Sequence, residues 1–434
     1  MTDEARSLER RPLAAGSLES RPAGVKEAAI AGLLPAWAER AATQKARRAF
    51  LGLAESRIRE GRLTLVEPDN RQHEFIGPLP GPQAVMLVHD WRVARRLALE
   101  GGLGFGRAYV DGDWDSPDLP ALLEFFTRNR PHLGGALRGR LLLRALNAVR
   151  HGLRANSRIG ARRNISYHYD LGNSFYEQWL DPSMTYSSAI FAAGDNSLES
   201  AQLRKYRRLL DLLDAKPGQH VLEIGCGWGG FAELAARERG LKVTGITLSQ
   251  EQLHYARARI DRAGLGGQVD FALCDYRDVE GRFDHVVSIE MFEAVGRKYW
   301  PAFFGKLRDV LPPGGRAALQ VITIDETAYA HYSKAADFIQ AYIFPGGMLP
   351  SVGAFADQVR LAGLELTQKA EFGADYARTL AAWRKAFNAA WHARRLPAGF
   401  DAHFQRIWNY YLAYCEGGFR GGGINVMQAA LLRP

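Results

Sequence analysis

The stretch VLEIGCGWGGFAELAARERGLKVTGITLSQEQ (residues 221–252) decides how the chain folds. It opens with an apolar run typical of a buried strand and continues through a turn containing Gly225, Gly227 and Gly229. A helix-length segment and a second apolar run follow. Glycines at such a turn let the backbone approach a ligand closely, at a helix N-terminus and the carboxyl edge of a strand. The stretch therefore predicts a strand–loop–helix–strand unit with a ligand site at the loop.

Further strand patterns alternate with helix-length segments after this unit. The five strand candidates are HVLEIG, KVTGIT, VDFALCD, FDHVVSIE and RAALQVIT. Strands that alternate with helices indicate βαβ units and a mostly parallel sheet with helices on both faces. We therefore predict an α/β domain over residues 164–434.

The glycine loop does not match the common phosphate-binding patterns. No Lys-Ser or Lys-Thr pair follows it, as a Walker loop requires, and its glycines run GxGxGG instead of the dinucleotide pattern. Glu223 stands just before the loop, where its carboxylate can meet a charged ligand that is not a phosphate.

Length and composition indicate a globular protein of two domains. The chain has 434 residues, of which 47% are hydrophobic and 24% charged, and it has three widely spaced cysteines. No apolar run approaches 18 residues, and the N-terminus lacks the apolar segment of a secretory signal. These features predict a cytoplasmic location. The Arg, Ser, Pro and Gly content of residues 1–24 predicts a disordered tail.

Residues 25–130 have the mixed pattern of a small α+β domain. A helical segment is followed by GRLTLVEPDNRQHEFIG, which alternates like a hairpin around the turn EPDN, and then by a strand–helix pattern that stops at a Gly-Gly pair. Nothing in this region clusters catalytic side chains. Lipid binding and homodimer contacts are the two roles that the sequence leaves open for it.

The net charge of +9 is concentrated between Phe125 and Tyr169, where ten arginines occur without one Asp or Glu. Within this region residues 131–163 mix arginine with Leu, Val and Ile at helical intervals, as in a basic amphipathic linker helix. Such a helix suits an anionic phospholipid surface at the inner face of the membrane. Nucleic acid is the rival partner, but interleaved aromatics and nucleic-acid motifs are missing, so we expect none. A solvated linker helix packed on the core is the remaining alternative.

The glycine loop, followed by CDYRD after the third strand, resembles class I methyltransferases, which bind S-adenosylmethionine. The second strand departs from many of these folds, because it ends in GITLSQEQ where an acid usually binds the ribose. Gln252 can still hydrogen-bond a hydroxyl there.

That departure accompanies a closer resemblance. The chain carries, in order, ISYHYDLGNSFYEQWLDPSMTYSSAIF, LEIGCGWGG, GITLSQEQ, DYRD, MFEAVG, YIFPGGMLPS and FGADYARTL. Together these motifs resemble the cyclopropane fatty acid synthases and the mycolic acid cyclopropane synthases, over roughly residues 164–434. GLGFGRAYVDGDWDSPDLPALLEFF in the first domain is more loosely similar.

The resemblance implies transfer of a methyl group from S-adenosylmethionine to a cis double bond of an unsaturated phospholipid acyl chain, which yields a cyclopropane fatty acid. It also implies a carbocation that must be shielded from water, for which aromatic side chains are suitable neighbours. By motif position, the cofactor-binding residues are Tyr186, Ser187, Glu223, Gly225, Gly227, Gly229, Thr247, Leu248, Gln252 and Tyr276.

In the family a bicarbonate ion removes the proton, held by Cys, Glu, His, Tyr and an Ile backbone group. Glu293, Tyr376 and Ile322 keep their motif positions, but Ser188 stands where the Cys is usual and Gln320 where the His is usual. His168 is a further acid–base candidate, for which a hydrogen-bonded loop histidine is an equal alternative.

Three consequences of these substitutions stay open at the level of sequence. Bicarbonate can remain bound with a different geometry, because Ser and Gln also donate hydrogen bonds. Glu293 can itself be the base, with a pKa raised by burial. The carbocation can also meet another fate, which gives a methyl-branched or methylene product in place of a ring.

Two functions of other classes are weighed against this one. The same fold can methylate a small molecule or a nucleic acid, although the apolar residues around YIFPGGMLPS favour a lipid. A non-catalytic lipid-binding protein would explain Ser188 and Gln320 as signs of a decayed site, but the complete cofactor motifs argue against it.

Overall fold

The computed structural model describes residues 35–134, 171–195, 197–333 and 337–434. The predicted disordered tail and nearly all of the predicted basic linker helix lie outside the described residues, as does His168.

The first unit is built around a small sheet. Its elements are α1 (Ala36–Arg57), β1 (Glu60–Val66), β2 (Gln72–Ile76), β3 (Leu79–Val88), α2 (Arg92–Glu100), α3 (Gly102–Val110), β4 (Trp114–Asp115) and α4 (Leu119–Leu133). The sheet order is β2-β1-β3-β4. Strands β1 and β2 pair antiparallel, which confirms the predicted hairpin, and β1 and β3 pair parallel. Helix α4 continues three residues past the predicted domain boundary at residue 130.

The second unit is the larger α/β part. Its helices are α5 (Asn173–Tyr176), α6 (Leu198–Leu213), α7 (Gly230–Arg239), α8 (Gln250–Ala263), α9 (Trp300–Val310), α10 (Glu326–Tyr332), α11 (Phe338–Tyr342), α12 (Val352–Leu361), α13 (Gly373–His392) and α14 (Ala402–Arg420). Its strands are β5 (His220–Ile224), β6 (Lys242–Thr247), β7 (Val269–Leu273), β8 (His285–Ile289), β9 (Arg316–Ile324), β10 (Glu365–Glu371) and β11 (Ile424–Leu432). Short 3-10 helices span Tyr276–Asp278, Phe292–Ala294 and Arg297–Tyr299.

The seven strands of the second unit form one sheet in the order β10-β11-β9-β8-β5-β6-β7. The pairs β5–β6, β5–β8, β6–β7 and β8–β9 are parallel, whereas β11 runs antiparallel to both of its neighbours. The mostly parallel sheet confirms the predicted fold class. The strand order reverses between β5 and β8, and ligands in open α/β sheets bind at the carboxyl ends of strands at such a point.

The two units share a core. Buried residues of the first unit, among them Phe105 and Trp114, belong to the same apolar cluster as Trp408 and Tyr410 of α14. Gly106 of α3 lies so close to α11 and α14 that a β-carbon there would approach the rings of Phe338 and Tyr410 within 3 Å. The absence of a side chain at Gly106 therefore permits the first unit to pack directly on the larger one. Among the described helices, none is both long and apolar enough to cross a bilayer.

Candidate active site

A cavity of about 920 Å³ joins the glycine loop to the surface of the first unit. Its wall includes Glu223 near the carboxyl end of β5, Glu290 directly after β8, and apolar residues of the first unit such as Leu103 and Phe126. The sheet edge therefore opens into a space that is walled on the other side by the small unit.

The glycine loop follows β5 and forms one end of this cavity. Gly225 has φ +85°, and a β-carbon there would lie 2.9 Å from Cβ and Cγ of Met291. Gly227 has φ +52°, and nothing lies within 4 Å of the β-carbon position. Both conformations favour glycine. The loop is thus held closely at Gly225 and opens onto free space at Gly227, as a cradle for a ligand requires.

Several polar groups around the loop are left to bind a ligand. Oε2 of Glu223 and the hydroxyl of Tyr276 are buried without a hydrogen-bond partner among the described residues. Burial raises the pKa of Glu223 well above its usual value, and the nearby Lys205 and Arg259 lower it. Thr247 donates to Oε1 of Gln252 at 2.8 Å, which leaves the NH₂ end of that amide for other partners. The carboxyl group of Glu223, the hydroxyl of Tyr276 and the amide of Gln252 therefore surround an open glycine loop. These groups fit S-adenosylmethionine, which carries a positive charge and several hydrogen-bonding groups.

The hydroxyl of Ser187 accepts a hydrogen bond from a buried lysine. Nζ of Lys205, on α6, donates to Oγ of Ser187 at 2.6 Å and lies 4.3 Å from the ring centroid of Tyr206. Burial lowers the pKa of Lys205 to about 7, although the charges of Glu290, Asp181 and Glu223 raise it. A cation at this depth can balance the carboxylates at the ends of β5 and β8.

Glu290 occupies the centre of the sheet edge. Its Oε1 accepts from the backbone N–H of Ser188 at 2.8 Å and from Nε2 of Gln320 at 2.7 Å, and its Oε2 accepts from the hydroxyl of Tyr376 at 2.6 Å. Glu290 has φ +51°, a left-handed conformation that costs a residue other than glycine about 1–2 kcal/mol. Strain of this kind is concentrated at functional sites. Burial raises the pKa of Glu290, whereas its three hydrogen bonds and the charge of Lys205 lower it.

Glu293 lies one turn further along the chain and is also buried. Its carboxylate accepts from the backbone N–H of Ile322, and its Oε2 has no hydrogen-bond partner among the described residues. Burial and then the charge of Glu290 raise the pKa of Glu293 to about 8. At neutral pH Glu293 is therefore mostly neutral beside Glu290.

The far side of the cavity is aromatic. Tyr186 and Tyr411 are joined through their hydroxyls at 2.7 Å, and the ring of Tyr376 lies 4.5 Å from that of Phe419. Phe344, from YIFPGGMLPS, also lines this side. We call the glycine loop with Glu223, Gln252 and Tyr276 the cradle, and the aromatic side with Tyr186, Tyr376, Tyr411 and Phe344 the chamber. Together they suit a charged donor beside a lipid chain.

The structure brings most of the predicted site residues to this one cavity. The wall contains Tyr186, Ser187, Glu223, Gly225, Gly227, Thr247, Leu248, Gln252, Tyr276, Glu293, Ile322 and Tyr376. Ser188 and Gln320 lie behind the wall and reach it through Glu290. Gly229 is the N-cap residue of α7, and a β-carbon there would lie 3.0 Å from the ring of Phe271, so Gly229 permits the packing of the helix on the sheet.

Sequence reasoning missed Glu290 and Lys205. The signal for Glu290 was available, because it is the charged residue that ends the strand pattern FDHVVSIE, directly after its largely apolar part VVSI. Lys205 belongs to a helix with several basic residues, and no feature of the sequence separates it from its exposed neighbours.

Comparison with known proteins gives concordant results. The family model described as mycolic acid cyclopropane synthetase matches residues 156–429. The tuberculostearic acid methyltransferase of Mycobacterium tuberculosis is 41% identical over 353 residues, which are 79% of this chain and 81% of that protein. The cyclopropane-fatty-acyl-phospholipid synthase of Escherichia coli K12 is 36% identical over 351 residues, which are 78% of this chain and 85% of that protein.

Solved structures show the same relationship. A crystal structure of a mycolic acid cyclopropane synthase complexed with S-adenosylhomocysteine matches with a TM-score of 0.58 and 30% sequence identity, over 62% of this chain and 98% of that one. The cyclopropane synthase MmaA2 from M. tuberculosis matches with a TM-score of 0.59, also at 30% identity, over the same shares of the two chains.

Proposed function

This chain belongs to the mycolic acid cyclopropane synthetase family and is an S-adenosylmethionine-dependent methyltransferase, and from this premise we propose that it methylates a cis double bond in the acyl chain of a membrane phospholipid. Ring closure to a cyclopropane is the first candidate outcome.

One observation carries the proposal: a single cavity contains both the cradle for a charged donor and an aromatic chamber for a lipid chain. A methyltransferase for a small polar molecule would not need an apolar chamber that reaches the first unit at Leu103 and Phe126. The two compartments meet at Glu290, where the reacting carbons would lie.

S-Adenosylmethionine supplies an electrophilic sulfonium methyl group, which an alkene can attack without prior removal of a proton. The chain's own residues bind and orient the reactants. Gly225 and Gly227 would admit the donor to the loop, Gln252 would hydrogen-bond its hydroxyls, and Glu223 would meet its positive charge. Tyr276 would lie beside the adenine.

The attack leaves a positive charge on the acyl chain, which the chamber must protect from water. Tyr186, Tyr376 and Tyr411 surround this space with rings, and cation–π attraction contributes about 0.5–2 kcal/mol for each well-placed ring. The apolar wall excludes water that would otherwise trap the cation as an alcohol.

A phospholipid substrate is supported by the basic character of the chain near the cavity. Arg128 and Arg130, at the end of α4, lie in the cavity wall, and the arginine-rich segment 131–163 follows them in the sequence. We propose that this segment docks on anionic lipid and that the acyl chain enters between the two units. A dimer of this chain stays a prediction.

A methylene or methyl-branched product is the second candidate outcome. Ser188 and Gln320 replace two of the groups that hold bicarbonate in the resembling synthases, and the relative at 41% identity is named a methyltransferase of tuberculostearic acid, not a synthase of cyclopropane lipids. Both outcomes begin with the same methyl transfer and differ in how the carbocation is quenched.

Expression in a bacterial host that lacks such an activity tests the proposal. We expect its unsaturated acyl chains to gain one CH₂ unit by mass spectrometry, and NMR of the purified lipids to distinguish a ring from a methylene or branched chain. Gly227→Ala is the variant for comparison and should give less product, because the smallest added side chain would enter the open cradle without meeting protein atoms at the β-carbon. Unchanged lipids from well-expressed protein that binds S-adenosylmethionine would refute the proposal.

Docking on lipid is tested separately by sedimentation with vesicles. We expect binding to anionic vesicles that weakens with added salt, because the Debye length falls from about 10 Å at 0.1 M salt to about 3 Å at 1 M. Equal binding to zwitterionic vesicles would argue against the electrostatic part of the proposal.

A further inference from the structure

The five positions at which the resembling synthases hold bicarbonate are all engaged within this chain. Ser188, Gln320 and Tyr376 direct their hydrogen bonds to the carboxylate of Glu290. At the other two positions, the backbone N–H of Ile322 donates a hydrogen bond to the carboxyl group of Glu293. The carboxylate of Glu290 thus occupies three donors that a free bicarbonate ion would need, and Glu293 occupies the fourth, the backbone N–H of Ile322.

The detailed donor geometry also does not fit a bicarbonate ion. Oγ of Ser188 donates to the backbone oxygen of Ala189 at 3.0 Å, so only the backbone N–H of Ser188 faces the site. Nε2 of Gln320 donates to the backbone oxygen of Ser188 as well as to Glu290, so both of its hydrogens are used. A bicarbonate ion here would have to displace the carboxylate of Glu290 from these donors.

We infer that Glu290 is the catalytic base of this enzyme and that its carboxylate takes the role of bicarbonate, so that turnover needs no bicarbonate. The inference rests on the proposed function. It concerns a residue outside the motif positions that the resemblance carries over.

The carboxylate has a free acceptor position for the proton. An ionised carboxylate offers about four lone-pair sites, two on each oxygen. Oε1 of Glu290 uses both of its sites, on Ser188 and Gln320, whereas Oε2 has one donor, Tyr376. The remaining site of Oε2 is available to a C–H group in the cavity, whose wall Glu290 forms.

The alkene π pair forms a bond to the methyl carbon while the C–S pair leaves with the sulfur, which becomes neutral S-adenosylhomocysteine. The neighbouring chain carbon becomes the cation. Oε2 of Glu290 then takes a proton from the transferred methyl group, and the released C–H pair closes a ring onto the cation. If a hydride first moves from the methyl-bearing carbon to its neighbour, the cation lies on the methyl-bearing carbon, and the same C–H pair forms a C=CH₂ methylene branch on the open chain.

Glu293 is the rival base, and its surroundings argue against it. One of its oxygens is taken by Ile322, and no donor among the described residues stabilises the charge on its other oxygen. Burial keeps the pKa of Glu293 near 8, so it is mostly protonated at neutral pH and cannot accept a proton. Glu290, with three donors and Lys205 nearby, is the better stabilised carboxylate of the two.

The test measures turnover on anionic vesicles of a cis-unsaturated phospholipid in buffer freed of CO₂, with and without added bicarbonate. The wild type should be equally active in both, and Glu290→Gln should lose about a hundredfold or more in kcat in both. Glu290→Gly removes the carboxylate at a position whose φ of +51° suits glycine. It should be inactive without bicarbonate and partly restored by bicarbonate, but not by chloride.

Binding of S-adenosylmethionine to each variant, by calorimetry, shows that the fold is intact. A fall in wild-type turnover on removing bicarbonate would overturn the inference, whatever the variants do. Turnover retained by Glu290→Gln but lost by Glu293→Gln would assign the proton transfer to Glu293 and overturn it as well. A wild type that binds the donor but gives no lipid product would instead refute the proposed function, and the inference with it.

Discussion

Nε2 of Gln428 donates to Oε1 of Gln320 at 3.0 Å, and the two residues face each other in the antiparallel register of β9 and β11. Both side chains are buried. An amide has one acceptor end and one donor end, so this contact turns the NH₂ group of Gln320 toward Glu290. Gln428, which does not line the cavity, therefore sets the orientation of a donor to the proposed base.

The first prediction concerns Gln428 as a positioning residue. Gln428→Met keeps the volume but removes the donor. We expect kcat to fall about tenfold, because a buried polar group that loses its hydrogen-bond partner costs about 1–3 kcal/mol. Gln428→Glu should have a larger effect, because it attracts the NH₂ group of Gln320 and turns its oxygen toward Glu290. The KM for S-adenosylmethionine should change little in both. A loss of thermal stability with unchanged kcat would show a merely structural role.

The second prediction concerns the dependence of stability on pH. The pKa of Glu293 is about 8 in the folded protein, against about 4.3 for an ordinary glutamate. Between these values the folded state keeps a proton that the unfolded state has lost, so the stabilisation present at low pH is lost as the pH rises. Relative to Glu293→Gln, the wild type should lose about 1.4 kcal/mol of unfolding free energy per pH unit from about pH 5 to 8.

Urea denaturation at a series of pH values measures this difference, which should level off above pH 8. Glu365→Gln, at the exposed start of β10, is the matched control and should follow the wild type. Parallel curves for the wild type and Glu293→Gln would contradict the assigned protonation.

The third prediction concerns the open side of the glycine loop. Gly227→Ala places a methyl group in the cradle, and overpacking of about 1–3 kcal/mol corresponds to a loss in affinity for S-adenosylmethionine of about tenfold or more. Gly264→Ala is the control, because Gly264 has a similar φ of +68°, also has nothing within 4 Å, and lies at the end of α8 away from the cavity. Both variants should lose similar stability, but only Gly227→Ala should bind the donor more weakly by calorimetry. Equal affinities would remove Gly227 from the donor site.

The sequence predicted the sheet and the glycine loop because both are local signals. The apolar strand patterns and the turn around Gly225 are read within a few residues, and the resulting parallel strands bring their carboxyl ends to one edge. The motif resemblance then identified Tyr376, Gln320 and Ser188 as neighbours, and the structure places all three on one group.

What the sequence could not give is the identity of that group. Four segments, far apart in the chain, contribute Ser188, Glu290, Gln320 and Tyr376 to the cluster, and only the folded sheet decides which carboxylate they contact. Glu290 and Glu293 are three residues apart, and the resemblance pointed to Glu293. Their different roles follow from backbone conformation and from which donors face each carboxylate, neither of which is visible in a pattern of residue types.

The last prediction concerns the attachment of the first unit, which walls the apolar side of the cavity. Arg406 of α14 donates to the backbone oxygens of Tyr109 and Trp114 and to Oδ2 of Asp115, at 2.8, 3.2 and 3.0 Å. Its guanidinium also lies 4.1 Å from the ring centroid of Tyr109. Arg406→Leu leaves these acceptors unpaired and should lower the unfolding free energy by about 2 kcal/mol. Because the chamber and not the cradle depends on this contact, turnover on lipid should fall more than affinity for S-adenosylmethionine.

Arg360→Leu, at an exposed ion pair, is the control and should stay within about 0.5 kcal/mol of the wild type. Equal effects of the two substitutions in urea denaturation would show that Arg406 does not hold the units together.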